Sequence, residues 1–216
     1  MTTPVVELRG VSRTFDRDPP VHALRGVDLS IWRIHRRIGM SGGLFTRALA
    51  RETGIEFDDD RLARLRALHA THYSKHSANT RPLPGARELL KYLTDTKIPW
   101  AIATSGRMLT AGPVLKILGV DPNKVPVITR DLVAYAKPDP DLFLAAAEKL
   151  GIEIETACVV GDSIWDMLAA QRARALGIGF LSGGYGTDEL ERSGAYRVFE
   201  DPADMLAHID EVGGRR

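Results

Sequence analysis

The stretch Thr156–Met167 is the part of the chain that most constrains the fold. Its sequence, TACVVGDSIWDM, is a short apolar run that stops at Gly161 and then places Asp162 and Asp166 at the start of a predicted helix. A strand that is apolar on both faces is typical of the centre of a parallel sheet, and ligands bind beyond the carboxyl ends of such strands. The four-residue spacing lets both carboxylates face one side of the first helical turn, where they could share a Mg²⁺ ion. Alternatively, Asp162 caps the helix and Asp166 is a solvated first-turn acid.

Composition limits the classes of protein to which the chain can belong. Its 216 residues, 44% of them hydrophobic, suffice for one large α/β domain or for a core domain with a small insert. A formal net charge of +1 gives no global field that would attract nucleic acid or an anionic membrane, so we expect neither partner. The single cysteine, Cys158, falls in the apolar strand and predicts a buried, inert thiol. With no signal-like or spanning apolar segment, we predict a cytoplasmic protein, and the oligomeric state stays open.

From Pro82-Leu83-Pro84-Gly85 to the end of the chain, helix and strand patterns alternate. The predicted helices are Ala86–Thr94, Val114–Leu118, Pro140–Leu150, Ile164–Ala175 and Pro202–Ile209, and the predicted strands are Pro99–Ala103, Val125–Ile128, Thr156–Val160, Ile178–Leu181 and Tyr196–Phe199. This alternation predicts an α/β fold with a Rossmann-like parallel sheet and helices on both faces.

The segment between Trp32 and about Asn79 predicts a small, all-helical unit. Leucines recur there at helical spacing, with expected breaks at Gly42-Gly43 and Gly54. Arg36 and Arg37 fall on one face of the first predicted helix. They could hold a phosphorylated substrate or form a solvated basic face.

Polar residues follow two more of the predicted segments. The strand ending at Ala103 runs into Thr104-Ser105-Gly106, whose hydroxyls and amides suit phosphate oxygens but also occur in ordinary strand-to-helix turns. Lys137 precedes Pro138-Asp139-Pro140, where we expect Asp139 as the helix N-cap and Pro140 as the first helical residue. A lysine fixed in that loop could neutralise a phosphate as a point charge, or be an ordinary surface lysine.

Together these groups resemble the second, third and fourth motifs of the haloacid dehalogenase superfamily, over residues 32–216. The matching strings, in order, are Thr104-Ser105, Lys137-Pro138 and Gly161-Asp162-Ser163-x-x-Asp166. The phosphoglycolate-phosphatase and β-phosphoglucomutase-like members are the most similar in pattern. The resemblance implies Mg²⁺-dependent hydrolysis of a small phosphorylated metabolite through an aspartyl-phosphate.

The resemblance also implies a role for each matching residue. Thr104 would bind the transferring phosphate, with Ser105 and Gly106 completing that site, and Lys137 would order nucleophile and phosphate. Asp162 would ligate Mg²⁺, and Asp166 would support either the metal or the lysine. The helical unit resembles the family's small cap, and residues 36–43 resemble its substrate-contacting loop.

The family's first motif, an apolar strand that ends in Asp-x-Asp-Gly-Thr and supplies the nucleophile, is absent from the sequence. Asp16-Arg17-Asp18 repeats its first part but continues with Pro19-Pro20, so Asp16 is the one candidate nucleophile. In the family this strand lies in the centre of the sheet. Its loss would leave the strands near Trp100 and Cys158 flanking a gap, unless part of residues 4–31 fills it.

Residues 3–31 differ in character from the remainder of the chain. VELRGVSRTF and VHALRGVDLSI predict two β segments around Asp16–Pro20 and resemble the first strands of an ABC-transporter ATPase subunit. No Gly-x-x-x-x-Gly-Lys-Ser/Thr follows, so ATP binding has no physical basis. We therefore predict three parts: a foreign N-terminal segment (1–31), a helical cap (32–80) and an α/β core (81–216). The two leading hypotheses are a Mg²⁺-dependent phosphatase and a phosphate-ligand binder, or degenerate fusion product, that lacks the nucleophile.

Overall fold

The computed structural model describes residues 7–15, 21–30, 35–77 and 79–214. The chain separates into two compact units, residues 1–38 and residues 39–216. None of the described helices is long and apolar enough to cross a membrane.

The first unit contains an antiparallel pair of strands, β1 (Glu7–Phe15) and β2 (Val21–Ser30). The pairing runs from Glu7 opposite Ser30 to Phe15 opposite Val21, with three shifts in register. The two predicted β segments are therefore present. The turn between them, including Asp16, lies outside the described residues.

Arg36 and Arg37 also belong to the first unit, and they follow a helical residue, His35, instead of lying within the predicted helix. Residues 36–39 form a turn, in which the amide of Ile38 donates to the carbonyl of His35 at 3.1 Å. Arg36 is exposed and Arg37 is half-buried. The turn ends at Gly39, whose positive φ of 79° is incompatible with continuing a right-handed helix.

The second unit contains the other helices and strands whose bounds the structure describes. In chain order they are α1 (Gly42–Thr53), α2 (Asp59–Ser77), α3 (Ala86–Asp95), β3 (Ile102–Ala103), α4 (Met108–Leu118), β4 (Val127–Ile128), α5 (Asp141–Leu150), β5 (Cys158–Gly161), α6 (Ile164–Ala173), β6 (Leu176–Phe180), α7 (Thr187–Arg192), β7 (Ala195–Phe199) and α8 (Pro202–Ala207). Single 3₁₀ turns occur at Arg130–Leu132, Ile154–Thr156, Leu181–Gly183 and Ile209–Val212.

The strands of the second unit are all parallel, with helices on both faces, which confirms the predicted α/β fold class. β3 pairs with β4, and β5, β6 and β7 pair in that order. On β5–β6, Val159 lies opposite Gly177 and Val160 opposite Ile178, so Val159 and Ile178 point to different faces. Val159 packs with α5 and α6, whereas Ile178 packs with α3 and α8.

The helix α6 lies close against the sheet because small residues meet at the contact. Ala169 and Ala170 are fully buried, and a Cβ on Gly177 of β6 would come within 3.1 Å of the sulfur of Met167. This close packing fixes the first turn of α6, where Asp166 stands, relative to the end of β5.

Within the described residues, β3 and β5 each have a sheet edge to which no strand is bonded. β3 pairs with β4 alone, β5 pairs with β6 alone, and the β1–β2 hairpin is a two-stranded sheet of its own. The gap expected from the missing first motif is thus present among the described residues, because the parallel strands form two separate sheets instead of one.

The expectation that Cys158 is buried is wrong. Its side chain is exposed, as is that of Val160, while Val159 between them is buried. Among the described residues β5 lies at the edge of its sheet, so no neighbouring strand shields Cys158 and Val160 on that side. The Cys158 thiol contacts the carbonyl of Val212 at 3.9 Å, and partial desolvation raises its pKa.

Helix boundaries differ from prediction at three places. Pro140, not Asp139, is the N-cap of α5, because Asp139 pairs with Arg172 instead. Gly42-Gly43 opens α1 rather than breaking it, whereas the expected break at Gly54 is confirmed by its left-handed φ of 67°. The short polar helix α7 was not predicted.

Candidate functional site

The loop after β5 holds the two predicted aspartates, and Ser163 between them caps α6. The Ser163 hydroxyl accepts from the amide of Asp166 at 3.4 Å, and Asp166 Oδ2 accepts from the amide (3.2 Å) and hydroxyl (2.5 Å) of Ser163. This capping box satisfies amides that the helix leaves without partners. Asp162 is therefore not the cap, and Asp166, 5% exposed, is not a solvated acid.

Lys137 joins this loop through a buried ion pair. Its Nζ donates to Asp166 Oδ1 at 2.5 Å, and the two side chains are 13% and 7% exposed. Both oxygens of Asp166 are thus engaged, one by the ammonium group and the other by Ser163. A buried charge pair with these additional hydrogen bonds fixes the position of Lys137 relative to the end of β5.

Of the two aspartates in this loop, Asp162 is the one whose carboxylate remains available to bind a ligand. Its pKa is raised, first by desolvation and then by the charge of Asp166, while Lys137 opposes the shift. The turn Leu181–Gly183 crowds it, since a Cβ on Gly183 would fall 1.9 Å from the Asp162 carbonyl oxygen. Within this turn, the Ser182 hydroxyl donates to Asp162 Oδ2 at 3.4 Å. Asp162, Asp166 and Lys137 therefore form one electrostatic cluster, as their positions at the ends of predicted elements had indicated.

Thr104-Ser105-Gly106 forms the turn after β3. Thr104 Oγ1 accepts from the amide of Gly106 at 3.1 Å, which leaves the Thr104 hydroxyl proton free to donate. The Ser105 hydroxyl is buried with no hydrogen-bond partner among the described residues. A buried hydroxyl without a partner is costly, and a phosphate oxygen would supply one. Ala103, directly before this turn, packs against the buried cluster that includes Val159 of β5, so this turn starts close to β5.

Gly39 contacts the same site, and sequence analysis did not single it out. With a φ of 79°, it lies so close to Ser163 that a Cβ would fall 2.5 Å from the hydroxyl oxygen and 2.6 Å from its Cβ. Part of the loop predicted to contact substrate therefore reaches the cap of α6. Ser163 was also missed as a site residue, although Ser-x-x-Asp at the start of an apolar helix resembles the Ser-x-x-Glu capping pattern.

The donor set suits a magnesium ion held by one carboxylate. No cluster of three His, Cys, Asp or Glu side chains occurs among the residues that the structure describes. Mg²⁺ is commonly held by one or two carboxylates, with water and substrate phosphate completing its octahedron. Asp162 can provide that carboxylate, and its raised pKa is consistent with a site where negative charge lacks compensation. Asp166, bonded on both oxygens, is better placed to hold Lys137 than to bind metal directly.

Comparison with known proteins identifies the family. Haloacid dehalogenase-like hydrolases match residues 18–174, which is most of the chain. This protein belongs to that family. A crystal structure of a hydrolase from Pseudomonas syringae is 54% identical, with a TM-score of 0.82 over 86% of this chain and 85% of that one.

Several curated relatives carry the name phosphoglycolate phosphatase, among them one from Rhodospirillum rubrum and one from Agrobacterium fabrum. The Rhodospirillum rubrum protein is 30% identical over 181 residues, which is 80% of this chain and 73% of the relative. The Agrobacterium fabrum protein is 35% identical over 114 residues, which is 52% of this chain and 49% of the relative. The matched part of this chain thus spans about half the length of the second relative. These names describe the relatives.

Proposed function

We propose that this haloacid dehalogenase-like protein binds a small phosphate monoester with Mg²⁺ and hydrolyses it. The observation that carries the proposal is the buried ion pair of Lys137 with Asp166, which holds a lysine beside the available carboxylate of Asp162. The phosphoglycolate phosphatases among its relatives support this class of substrate.

Each residue has a distinct part in this proposal. Asp162 would hold the ion, which when bound neutralises phosphate charge. The hydroxyls of Thr104 and Ser105 would donate to the phosphate oxygens, and Lys137 would offset the remaining negative charge. Asp166 acts through Lys137 and is a positioning residue.

Hydrolysis also requires a nucleophile, and Asp16 is the candidate that the sequence offers. Its carboxylate would attack phosphorus as the ester P–O bond breaks, and the leaving alkoxide would take a proton from a neighbouring acid or water. Water would then hydrolyse the acyl phosphate, restoring the carboxylate and releasing inorganic phosphate.

The missing Asp-x-Asp-Gly-Thr string favours a second candidate function, a phosphate-ligand binder without hydrolysis. The resemblance of residues 3–31 to an ABC-transporter ATPase stays a prediction, with no phosphate loop to support it.

One experiment separates the two candidates. Phosphate release from a panel of small phosphate esters is measured with and without Mg²⁺, for the wild type and for Asp162→Asn, Asp16→Asn and Asp188→Asn. Asp188 is an exposed acid on α7 and serves as the matched control. Mg²⁺-dependent release that both Asp162→Asn and Asp16→Asn abolish supports the phosphatase. Binding of inorganic phosphate without any release supports the binder, and absence of both contradicts each candidate.

A further inference from the structure

The two parallel sheets of the second unit border each other at β3 and β5. Among the described strands, β3 is bonded to β4 alone and β5 to β6 alone. Ala103 of β3 nevertheless packs against the buried cluster around Val159 of β5. The space between Ile102–Ala103 and Cys158–Gly161 is therefore bordered by two strands that are neighbours but are not bonded to each other, and we call this space the slot.

Two helices bridge the slot, one on each face. Adjacent residues of α5 pack on different sheets, because Leu142 belongs to the buried cluster on β4 and Phe143 to the cluster on β5. On the opposite face, Leu89 and Leu90 of α3 pack in clusters on β6 and on β3–β4, respectively. Side-chain packing thus holds the two sheets side by side, with apolar residues on both faces of the slot.

The backbone of β3 has hydrogen-bonding groups that point into the slot. Along a strand of a parallel sheet, the N–H and C=O groups of one residue point to one side and those of the next residue to the other. The amides of Ile102 and Thr104 donate to carbonyls on the β4 side, at 3.0 and 2.9 Å. The backbone groups of Ala103, between them, therefore point away from β4 and into the slot.

The backbone of β5 presents the same arrangement from the other side of the slot. The Ala157 carbonyl accepts from the amide of Leu176 of β6 at 3.0 Å, so the alternation directs the backbone groups of Cys158 and Val160 away from β6. The side chains of Cys158 and Val160 are exposed as well. Strands of a parallel sheet with helices on both faces are usually buried, so this exposure indicates that a neighbouring strand is missing.

We propose that the slot binds one β-strand from a separate polypeptide. The backbone of that strand would bond Ala103 on one side and Cys158 and Val160 on the other, which satisfies groups that are costly to leave unpaired. Its side chains would alternate between the α5 and α3 faces, which are both apolar. The partner is therefore an extended run of about five residues that is apolar at every position and contains no proline, since proline lacks the amide hydrogen.

A second folded copy of the chain does not meet this requirement. The strand in the slot must be free to bond along both of its edges. Each described strand of this chain is already bonded to at least one other, so it has at most one open edge. The partner is thus an unpaired segment, and the inference goes beyond the proposed function because such binding needs neither metal nor phosphate.

Binding of synthetic peptides to the full chain tests the inference. The probe is KKGVIVFVGKK, labelled at its N-terminus with a fluorophore, in which glycine and lysine flank the apolar run and keep the peptide soluble. Two controls have the same flanks: KKGVIPFVGKK places a proline within the run, and KKGVSVSVGKK keeps only one face apolar. Fluorescence anisotropy should show saturable binding of the probe, with each control bound at least about ten-fold more weakly.

Cys158 reports whether the bound peptide fills the slot, because it is the single cysteine of the chain. A saturating concentration of the probe should slow alkylation of the thiol by a maleimide about ten-fold or more, as expected when the exposed population is depleted by binding. The proline control at the same concentration should leave the rate unchanged. Amide exchange of segments 100–104 and 157–161 should slow when the probe is added.

Val160→Lys tests the slot from the side of the protein. The side chain of Val160 is 39% exposed and would become buried once a strand fills the slot. The variant should therefore keep its fold, measured by circular dichroism, and bind the probe about ten-fold or more weakly than the wild type. Leu144→Lys, at a similarly exposed position on α5 (43%), is the matched control and should leave the affinity unchanged.

Several results would overturn the inference. Absence of probe binding, binding that does not protect Cys158, or equal affinity for the proline control would each show that no strand pairs in the slot. Slow exchange of segments 100–104 and 157–161 before any peptide is added would show that a segment of this chain already fills it. None of these results bears on Mg²⁺-dependent phosphate release, so the proposed function would stand or fall separately.

Discussion

Lys137 is the residue whose side chain connects the polar groups of the site. Its ammonium group neutralises Asp166, whose carboxylate is almost completely buried. When one partner of a buried ion pair is removed, the other is left as an uncompensated charge. The cost is much larger than the net contribution of the intact pair.

We therefore expect Lys137→Met to lower the free energy of unfolding by about 3 kcal/mol in urea titrations. Lys91→Met removes a lysine from the exposed pair with Asp95 and should cost less than about 1 kcal/mol. The double variant Lys137→Met/Asp166→Asn should recover part of the loss, because no buried charge remains. A Lys137→Met protein as stable as the Lys91→Met control would contradict the buried pair.

Asp162 should make the protein less stable as pH rises. Its pKa in the folded state lies above the usual value of about 3.8, so folding favours its protonated form. The resulting stabilisation is present below that value and is lost as pH rises through the folded-state pKa. At neutral pH, the ionised carboxylate opposes folding.

The metal-free Asp162→Asn protein should therefore unfold at a higher temperature than the wild type at neutral pH, with a smaller difference at pH below about 3.8. Millimolar Mg²⁺ should raise the wild-type midpoint and leave that of the variant unchanged. Thermal unfolding followed by circular dichroism measures both effects, with Asp188→Asn as control. A variant that is less stable than the wild type at neutral pH would show that the environment favours the ionised carboxylate.

At the scale of the element, α6 links stability and site geometry through its first turn. Ser163 caps the helix and bonds Asp166, which in turn holds Lys137. By contrast, α8 is capped by Asp201, which accepts from the amides of Ala203 (2.8 Å) and Asp204 (3.0 Å) and belongs to no predicted site.

We expect Ser163→Ala and Asp201→Ala each to lower the free energy of unfolding by about 1 kcal/mol, the usual cost of losing an N-cap. Only Ser163→Ala should also weaken phosphate binding, because it removes the shorter of the two hydrogen bonds that hold Oδ2 of Asp166, the carboxylate that positions Lys137. Urea titration and phosphate calorimetry on both variants provide the two measurements. If both variants bound phosphate equally tightly, the Ser163 cap would have no role in the phosphate site.

The sequence pattern predicted most elements because an element that packs on one side keeps its apolar residues at helix or strand spacing. The convergence of Lys137 and Asp166 was predictable in outline, since loops at one edge of a parallel sheet meet. The length of β3, only Ile102–Ala103, was not predictable, because strand extent depends on neighbouring strands rather than on local sequence. The exposure of Cys158 has the same cause. The engaged oxygens of Asp166 depend on side-chain geometry, which residue spacing alone does not specify.

At the scale of the whole molecule, the second unit consists of two short parallel sheets instead of one. Helices α5 and α6 pack together across them, and Ala103 of β3 contacts the cluster around Val159 of β5. The two sheets are thus joined by side-chain packing, while one edge of each has no strand bonded to it among the described residues.

Amide hydrogen exchange should reveal this division. β6 lies between two strands and is buried over Gly177–Phe180, so its amides should exchange only on global unfolding. The amides of β3 are half-buried and bonded on one side, and they should exchange at least about ten-fold faster, equivalent to about 1.4 kcal/mol. Mass spectrometry of peptides covering 100–104 and 176–180 gives the comparison within one sample. If β3 proves as protected as β6, another segment must pair with its open edge in solution, and a carboxylate delivered on such a segment could restore the nucleophile that the recognised motifs lack.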